Sequence, residues 1–191
     1  MWKTIKTLSV AALFLFATAC DQKSVKNSQG TTQTPTADEP LPVDSGSAGV
    51  ITYVKFTGAW FTVEIPANFS VTPSLRSATR SEGYDSAVFT SPDGKVQFYI
   101  FSPQWSGIAT DISLQPGETQ TESVKTTENG LVVERWTIKA DNAAYFRSYE
   151  STSETGGINK IFGIRYTSQE ELERYRPVYL HFKNSLQQYA D

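Results

Sequence analysis

The run Leu131-Val132-Val133-Glu134-Arg135-Trp136-Thr137-Ile138-Lys139, entered through Asn129-Gly130, decides the fold. Asn-Gly is the strongest short hairpin signal, because a type I′ turn needs positive φ at both central residues. Ser123-Val124-Lys125-Thr126-Thr127 lies on its other side as the partner strand. Asp141-Asn142 then turns into Ala144-Tyr145-Phe146-Arg147-Ser148-Tyr149-Glu150, and Gly156-Gly157 into the run from Asn159 to Tyr166. Four strands joined by tight turns predict an antiparallel meander.

Upstream, the run from Lys95 to Phe101 becomes apolar on both faces toward its end. That predicts a central strand, or one covered by a helix. Ser91-Pro92-Asp93-Gly94 supplies the turn back to Ser86-Ala87-Val88-Phe89-Thr90. In Trp60-Phe61-Thr62-Val63-Glu64-Ile65, strict alternation points Phe61, Val63 and Ile65 inward and Thr62 and Glu64 outward, with Pro66 ending the strand. Tyr53-Val54-Lys55-Phe56 and Phe69-Ser70-Val71-Thr72 read as short strands, and Arg76 to Asp85 as a polar loop. The stretch from Pro103 to Thr121, with Trp105, Gly107, Pro116 and Gly117, is the least regular part.

Downstream, Ser168-Gln169-Glu170-Glu171 has capping-box spacing, with a hydroxyl for an orphan amide and a carboxylate three residues on to reach back. Leu172, Tyr175, Tyr179, Phe182, Leu186 and Tyr189 recur at helical spacing as one apolar stripe. Pro177 either kinks this helix or starts a second one after Arg176. The fold class read from these patterns is α+β: an antiparallel meander with a C-terminal amphipathic helix packed on it.

The chain has 191 residues, 13% aromatic and 19% charged, which suits one folded domain with a real core. Its net charge of -3 becomes -5 once Lys3 and Lys6 leave with the first segment. The remaining basic residues are scattered, so nucleic acid is not an expected partner. Lys3 and Lys6 precede the apolar run from Val10 to Ala17, which closes on Ala17-Thr18-Ala19-Cys20. This is the pattern of an export signal over residues 1–19, too short to span a bilayer. Residues 20–49 contain almost no large apolar side chains and read as a disordered tether. A flexible coil of that length spans roughly 30 Å on average. Residues 50–191 form the single domain.

Ala17-Thr18-Ala19-Cys20 resembles the bacterial lipobox, departing from it at Ala17, where Leu is favoured. The resemblance implies that Cys20, the one cysteine, becomes the lipid-modified first residue of a mature lipoprotein facing the periplasm. Multiple acyl chains there would anchor the chain durably to the membrane. Asp21 resembles a retention signal that favours the inner membrane. The domain, over roughly residues 58–190, is similar to the PsbP-like and Mog1-like family. The residues that carry this are Phe61-Thr62-Val63-Glu64-Ile65-Pro66-Ala67-Asn68-Phe69, Ser91-Pro92-Asp93-Gly94 and Tyr175-Arg176-Pro177 through Phe182 to Leu186. That resemblance implies an antiparallel sheet flanked by helices, an α/β/α sandwich, and a binding or assembly role rather than catalysis.

The side chains suggest little chemistry. His181 is the only histidine and falls off the helical stripe, toward solvent. No metal-ligand spacing and no phosphate loop is present, so no cofactor is expected. Glu134, Glu150, Asp111 and Glu118 are the acids from which a hydrolytic pair would have to come. Trp60, Trp105 and Trp136, with Tyr99, Tyr145 and Tyr149, exceed what a small core requires. Trp105 is the candidate binding residue, because it lies in the irregular segment, where binding residues concentrate. The reading is therefore a membrane-tethered envelope lipoprotein that binds a protein partner or ligand. The alternative is a small envelope hydrolase with an acid pair in a cleft near Trp105.

Overall fold

The computed structural model describes residues 50–154 and 159–190. The expected signal segment, Cys20, Asp21, the tether and the Gly156-Gly157 turn lie outside the described residues.

Alternating apolar residues set the first strands. β1 (Tyr53–Thr57) pairs with β2 (Phe61–Pro66), whose Phe61, Val63 and Ile65 are fully buried. β3 (Ser70–Pro73), β4 (Ser86–Thr90) and β5 (Val96–Phe101) follow. The meander consists of β6 (Glu118–Glu128), β7 (Leu131–Ala140), β8 (Phe146–Ser153) and β9 (Asn159–Tyr166). Asn129 and Gly130 take φ of 51° and 81°, as the β6–β7 turn requires. These strands form a seven-stranded antiparallel sheet of order β3-β4-β5-β9-β8-β7-β6. β5 sits between β4 and β9, which explains why its side chains are apolar on both faces.

α1 (Gln169–Asn184) starts at Ser168, whose hydroxyl accepts from the Glu171 amide. Glu171 does not complete a capping box. Its carboxylate reaches Lys95 at 2.9 Å and Arg174 at 3.2 Å, tying the helix start to β5 and its own next turn. Pro177 lies inside one continuous helix, so no second helix begins there. After Ser185 the chain turns into β10 (Gln187–Gln188), which pairs with β2 to give a second sheet of order β1-β2-β10. Leu186 and Tyr189 therefore lie beyond the helix on which their spacing placed them. The Tyr189 amide instead donates to the Trp60 carbonyl at 3.0 Å.

One face of the large sheet carries the main core. Phe182 is fully buried there, with the rings of Phe98, Phe89 and Phe162 at 5.3, 5.4 and 5.5 Å. Val178, which lay outside the predicted stripe, is buried with it. Each such side chain contributes about 1.5–3 kcal/mol by leaving water.

The other face is covered differently, and this corrects the expected fold class. The expectation reached from α+β to an α/β/α sandwich with helices on both faces. The described residues are instead mainly antiparallel strand, with one α-helix on one face. The second face is closed by the irregular segment after β5, which contains one short 3-10 turn, Thr110–Ile112. Pro103, Gly107, Pro116 and Gly117 interrupt that segment too often for an α-helix. It nevertheless buries Ala109 and Ile112 against Tyr99, Phe101, Ile138, Tyr149 and Ile161. The irregular segment is also shorter than expected, because Glu118 to Thr121 already belong to β6.

Candidate functional site

Polar fastenings hold the irregular segment onto the sheet. Asp111, from the 3-10 turn, accepts from the Tyr99 hydroxyl and the Ser86 hydroxyl, both at 2.7 Å. Burial, then the Asp111 charge beside it, pushes the Tyr99 hydroxyl pKa far up. Further along, Glu118 pairs with Arg147 and accepts from the Tyr145 hydroxyl and the Gln115 amide, both at 2.8 Å. Burial opposes charge on Glu118, but Arg147 and these two donors outweigh it and hold the carboxyl below its ordinary range. Arg147 also donates to the Tyr149 hydroxyl at 2.9 Å. Closest to the end of the sheet, the Asn159 side chain makes two bonds to the Gly107 backbone, at 2.9 and 3.1 Å.

Between those fastenings, Trp105 stands at a small pocket of about 230 Å³. Its walls come from Phe101 at the end of β5, from Pro103 to Ile108, and from Leu75, Arg76, Ala78, Thr79 and Asp85 beside β4. Trp105 is 53% exposed and Ile108 83%, an unusual display for large apolar side chains. Gly107 is needed for the close approach, since a Cβ there would lie 2.9 Å from the Phe101 ring. The opposite wall is also fixed. The Trp60 indole N–H donates to Ser77 and Thr79 at 3.2 and 2.9 Å, and Arg80 donates to the Ala59 carbonyl at 2.7 Å.

Asp85 is the one acid in this lining. Its backbone is stitched to both neighbours: its amide donates to the Leu75 carbonyl at 2.8 Å, and its carbonyl accepts from the Ser102 amide at 2.7 Å. Its side chain is not served in the same way. Asp85 is only 6% exposed, yet Oδ1 is sealed from water and accepts no hydrogen bond. Burial pushes its carboxyl pKa up, with the Ser77 hydroxyl and the Ala78 backbone pulling in the opposite direction. The residue was read from sequence only as the end of a polar loop. Nothing local marks it: a lone Asp before an apolar strand is commonplace, and its burial comes from segments far apart in the chain.

The other candidates fall elsewhere. Trp60 and Trp136 are packing residues, Trp136 stacked on Tyr149 with ring centroids 5.3 Å apart. Glu150 is held by Lys183 at 2.6 Å and Arg135 at 2.8 Å, and Glu118 by Arg147. The lining of the Trp105 pocket therefore holds one carboxylate and not the pair a glycosidase-like cleft needs. His181 does not point freely into solvent. It lies 3.8 Å from the Tyr53 ring and 2.8 Å from Glu64, joining α1 to the small sheet. Among the described residues no group of three or more His, Cys, Asp or Glu side chains gathers. No helix among them is long and apolar enough to cross a membrane. A larger hollow of about 560 Å³ lies between Pro66–Phe69 and α1, but none of the unpartnered buried polar atoms lines it.

No family model matches the chain, and no curated protein matches it. Among solved structures, the chain is similar to the solution structure of cyanobacterial PsbP (CyanoP) from Synechocystis sp. PCC 6803. The identity is 13% and the TM-score 0.44, over 78% of this chain and 100% of that one. At that level neither a residue nor a role passes from one protein to the other.

Proposed function

We propose that this protein is a lipid-anchored binding module of the bacterial envelope, tethered to the membrane through Cys20, with the Trp105 pocket as its binding site. The single observation that carries the binding reading is the pairing, in one pocket, of a half-exposed tryptophan with a buried carboxylate that has no ion pair and whose Oδ1 has no hydrogen-bond partner among the described residues. Trp gives a large contact area at low entropic cost, and such residues anchor ligands. A lone carboxylate favours binding over hydrolysis, because acid–base cleavage of a glycosidic bond uses two. The anchoring reading rests on the apolar run ending at Cys20 and on the long polar stretch that follows it.

The test uses the full-length chain in a Gram-negative host. The wild-type protein should fractionate with the membrane and Cys20→Ser should appear in the soluble periplasmic fraction; retention of the variant in the membrane would refute lipid anchoring at Cys20. A photo-crosslinking amino acid at Ile108, beside the pocket, should capture a discrete adduct that Trp105→Ala abolishes. Absence of any Trp105-dependent adduct would refute the pocket as the binding site.

A further inference from the structure

We propose that the Trp105 pocket selects a small primary ammonium ion, whose N–H groups donate to the Asp85 carboxylate while its alkyl part and positive charge lie against the indole. This rests on the reading of the pocket as a binding site and goes on to name the chemistry of its ligand.

The buried acids of the domain make the case by contrast. Glu118 has Arg147 and Glu171 has Lys95 and Arg174, while even the half-buried Asp111 has two hydroxyl donors at 2.7 Å. Asp85 has only neutral neighbours, the Ser77 hydroxyl and the Ala78 backbone, and combines deep burial with no ion pair and no bond to Oδ1 among the described residues. Buried acceptors are almost always satisfied, and an unsatisfied charged one carries a substantial penalty. A donor that arrives only with a ligand removes that penalty on binding. Rotation about the terminal side-chain bond of Asp is broad, so the carboxylate can tilt an oxygen toward the pocket.

The neighbouring cations do not fill this role. Arg80 is bonded to the Ala59 carbonyl and its guanidinium lies 5.4 Å over the Trp60 ring. Arg76 is exposed on the pocket rim, with its guanidinium 5.2 Å over Tyr84, and makes no ion pair among the described residues. A solvent-exposed charge of this kind is screened, while the buried Asp85 is not. An anion is disfavoured by the carboxylate. A hard metal ion needs several oxygen ligands, and no such group gathers here. The remaining fit is a cation that brings its own donors and an apolar stem. Trp is the best aromatic partner for such a charge. At about 230 Å³, the pocket is below the usual range for drug-sized ligands and suits an amine of a few carbons.

The experiment titrates the full-length, detergent-solubilised protein with n-butylammonium, following saturation-transfer NMR of the probe. The neutral n-butanol and the anionic butyrate serve as matched controls. n-Butylammonium should bind saturably in the millimolar range expected for so small a ligand, and more tightly than either control. Asp85→Asn should weaken it by about tenfold or more, the loss of a charge-assisted hydrogen bond. Trp105→Ala should weaken it by about threefold or more. Arg76→Gln, which removes a like charge from the pocket rim, should tighten it. Equal binding of n-butanol, or equal affinity in a folded Asp85→Asn variant, would overturn the ammonium proposal. If a control ligand binds in a Trp105-dependent way, the pocket reading survives and only its ligand class is wrong. If n-butylammonium shows no saturable binding to folded protein, the ammonium proposal fails, and the Ile108 crosslink decides the pocket separately.

Discussion

Asp85→Asn should make the protein more stable, and more so as pH rises. The substitution keeps the shape of the side chain and removes a buried charge whose Oδ1 has no partner. Leaving a buried polar group unsatisfied costs about 1–3 kcal/mol, and more when it is charged, so the gain at neutral pH should be about 1–3 kcal/mol. For a domain of this size that raises Tm by about 3–10 °C. The pH dependence follows from linkage. Burial raises the folded-state pKa of Asp85 above its unfolded value. The favourable contribution of its protonated form is complete below the unfolded value near 3.9 and is lost as pH rises through the folded value. Wild type therefore carries a penalty that grows as pH rises above the unfolded value and through the folded one, and Asn carries none. Thermal unfolding of the two proteins followed by circular dichroism at about pH 4.5 and pH 8 should show a gap in Tm that widens with pH. A less stable Asp85→Asn at pH 8, or a gain independent of pH, would refute the claim that Asp85 is held uncompensated.

Two further substitutions probe the supports of the pocket. Glu118→Gln strands the Arg147 guanidinium at a site where the Glu118 side chain is 1% exposed, and should cost about 3–5 kcal/mol in urea unfolding. Because the native Glu118 carboxyl is held below its ordinary range, its contribution is present above the unfolded pKa and lost as pH falls through the folded one, so the deficit should shrink in acid. Gly163→Ala places a Cβ 2.5 Å from the Tyr149 ring in the middle of β9, and should lower the urea midpoint by an amount equivalent to about 1–3 kcal/mol; an unchanged midpoint would show that the ring can move aside freely.

The strands were legible because their cause is local. Alternation placed β2 and β5, and Asn129-Gly130 placed the β6–β7 hairpin. The C-terminal region was harder. Leu186 and Tyr189 keep helical spacing, yet the Ser185 hydroxyl accepts from the Glu64 amide at 2.8 Å and the chain leaves to pair with β2. That pairing is a tertiary event with no sequence period of its own. The helix expected on the second face failed for the opposite reason, since the prolines and glycines between Pro103 and Gly117 were visible but the face they would cover was not. Trp105 could be singled out as a candidate because irregular segments and amphipathic aromatics are visible in sequence. Asp85 was not, because its isolation is a property of what surrounds it.

That isolation carries meaning only in its setting. The same fold gives its other two buried acids a cation, Arg147 for Glu118 and Lys95 with Arg174 for Glu171, and gives the half-buried Asp111 paired hydroxyls. At Asp85 the Ser77 hydroxyl and the Ala78 backbone are the neighbouring donors, and no cation pairs with the carboxylate among the described residues. Breaks in local rules are expected at functional sites that sacrifice stability, and among the buried acids the missing cation is at Asp85. Here it coincides with the pocket that exposes Trp105, and the surrounding bonds from Asn159 to Gly107 and from Trp60 to Thr79 hold that pocket open without help from Asp85. A carboxylate with one unserved oxygen and no ion pair, in a cavity that other residues maintain, is free to meet a ligand.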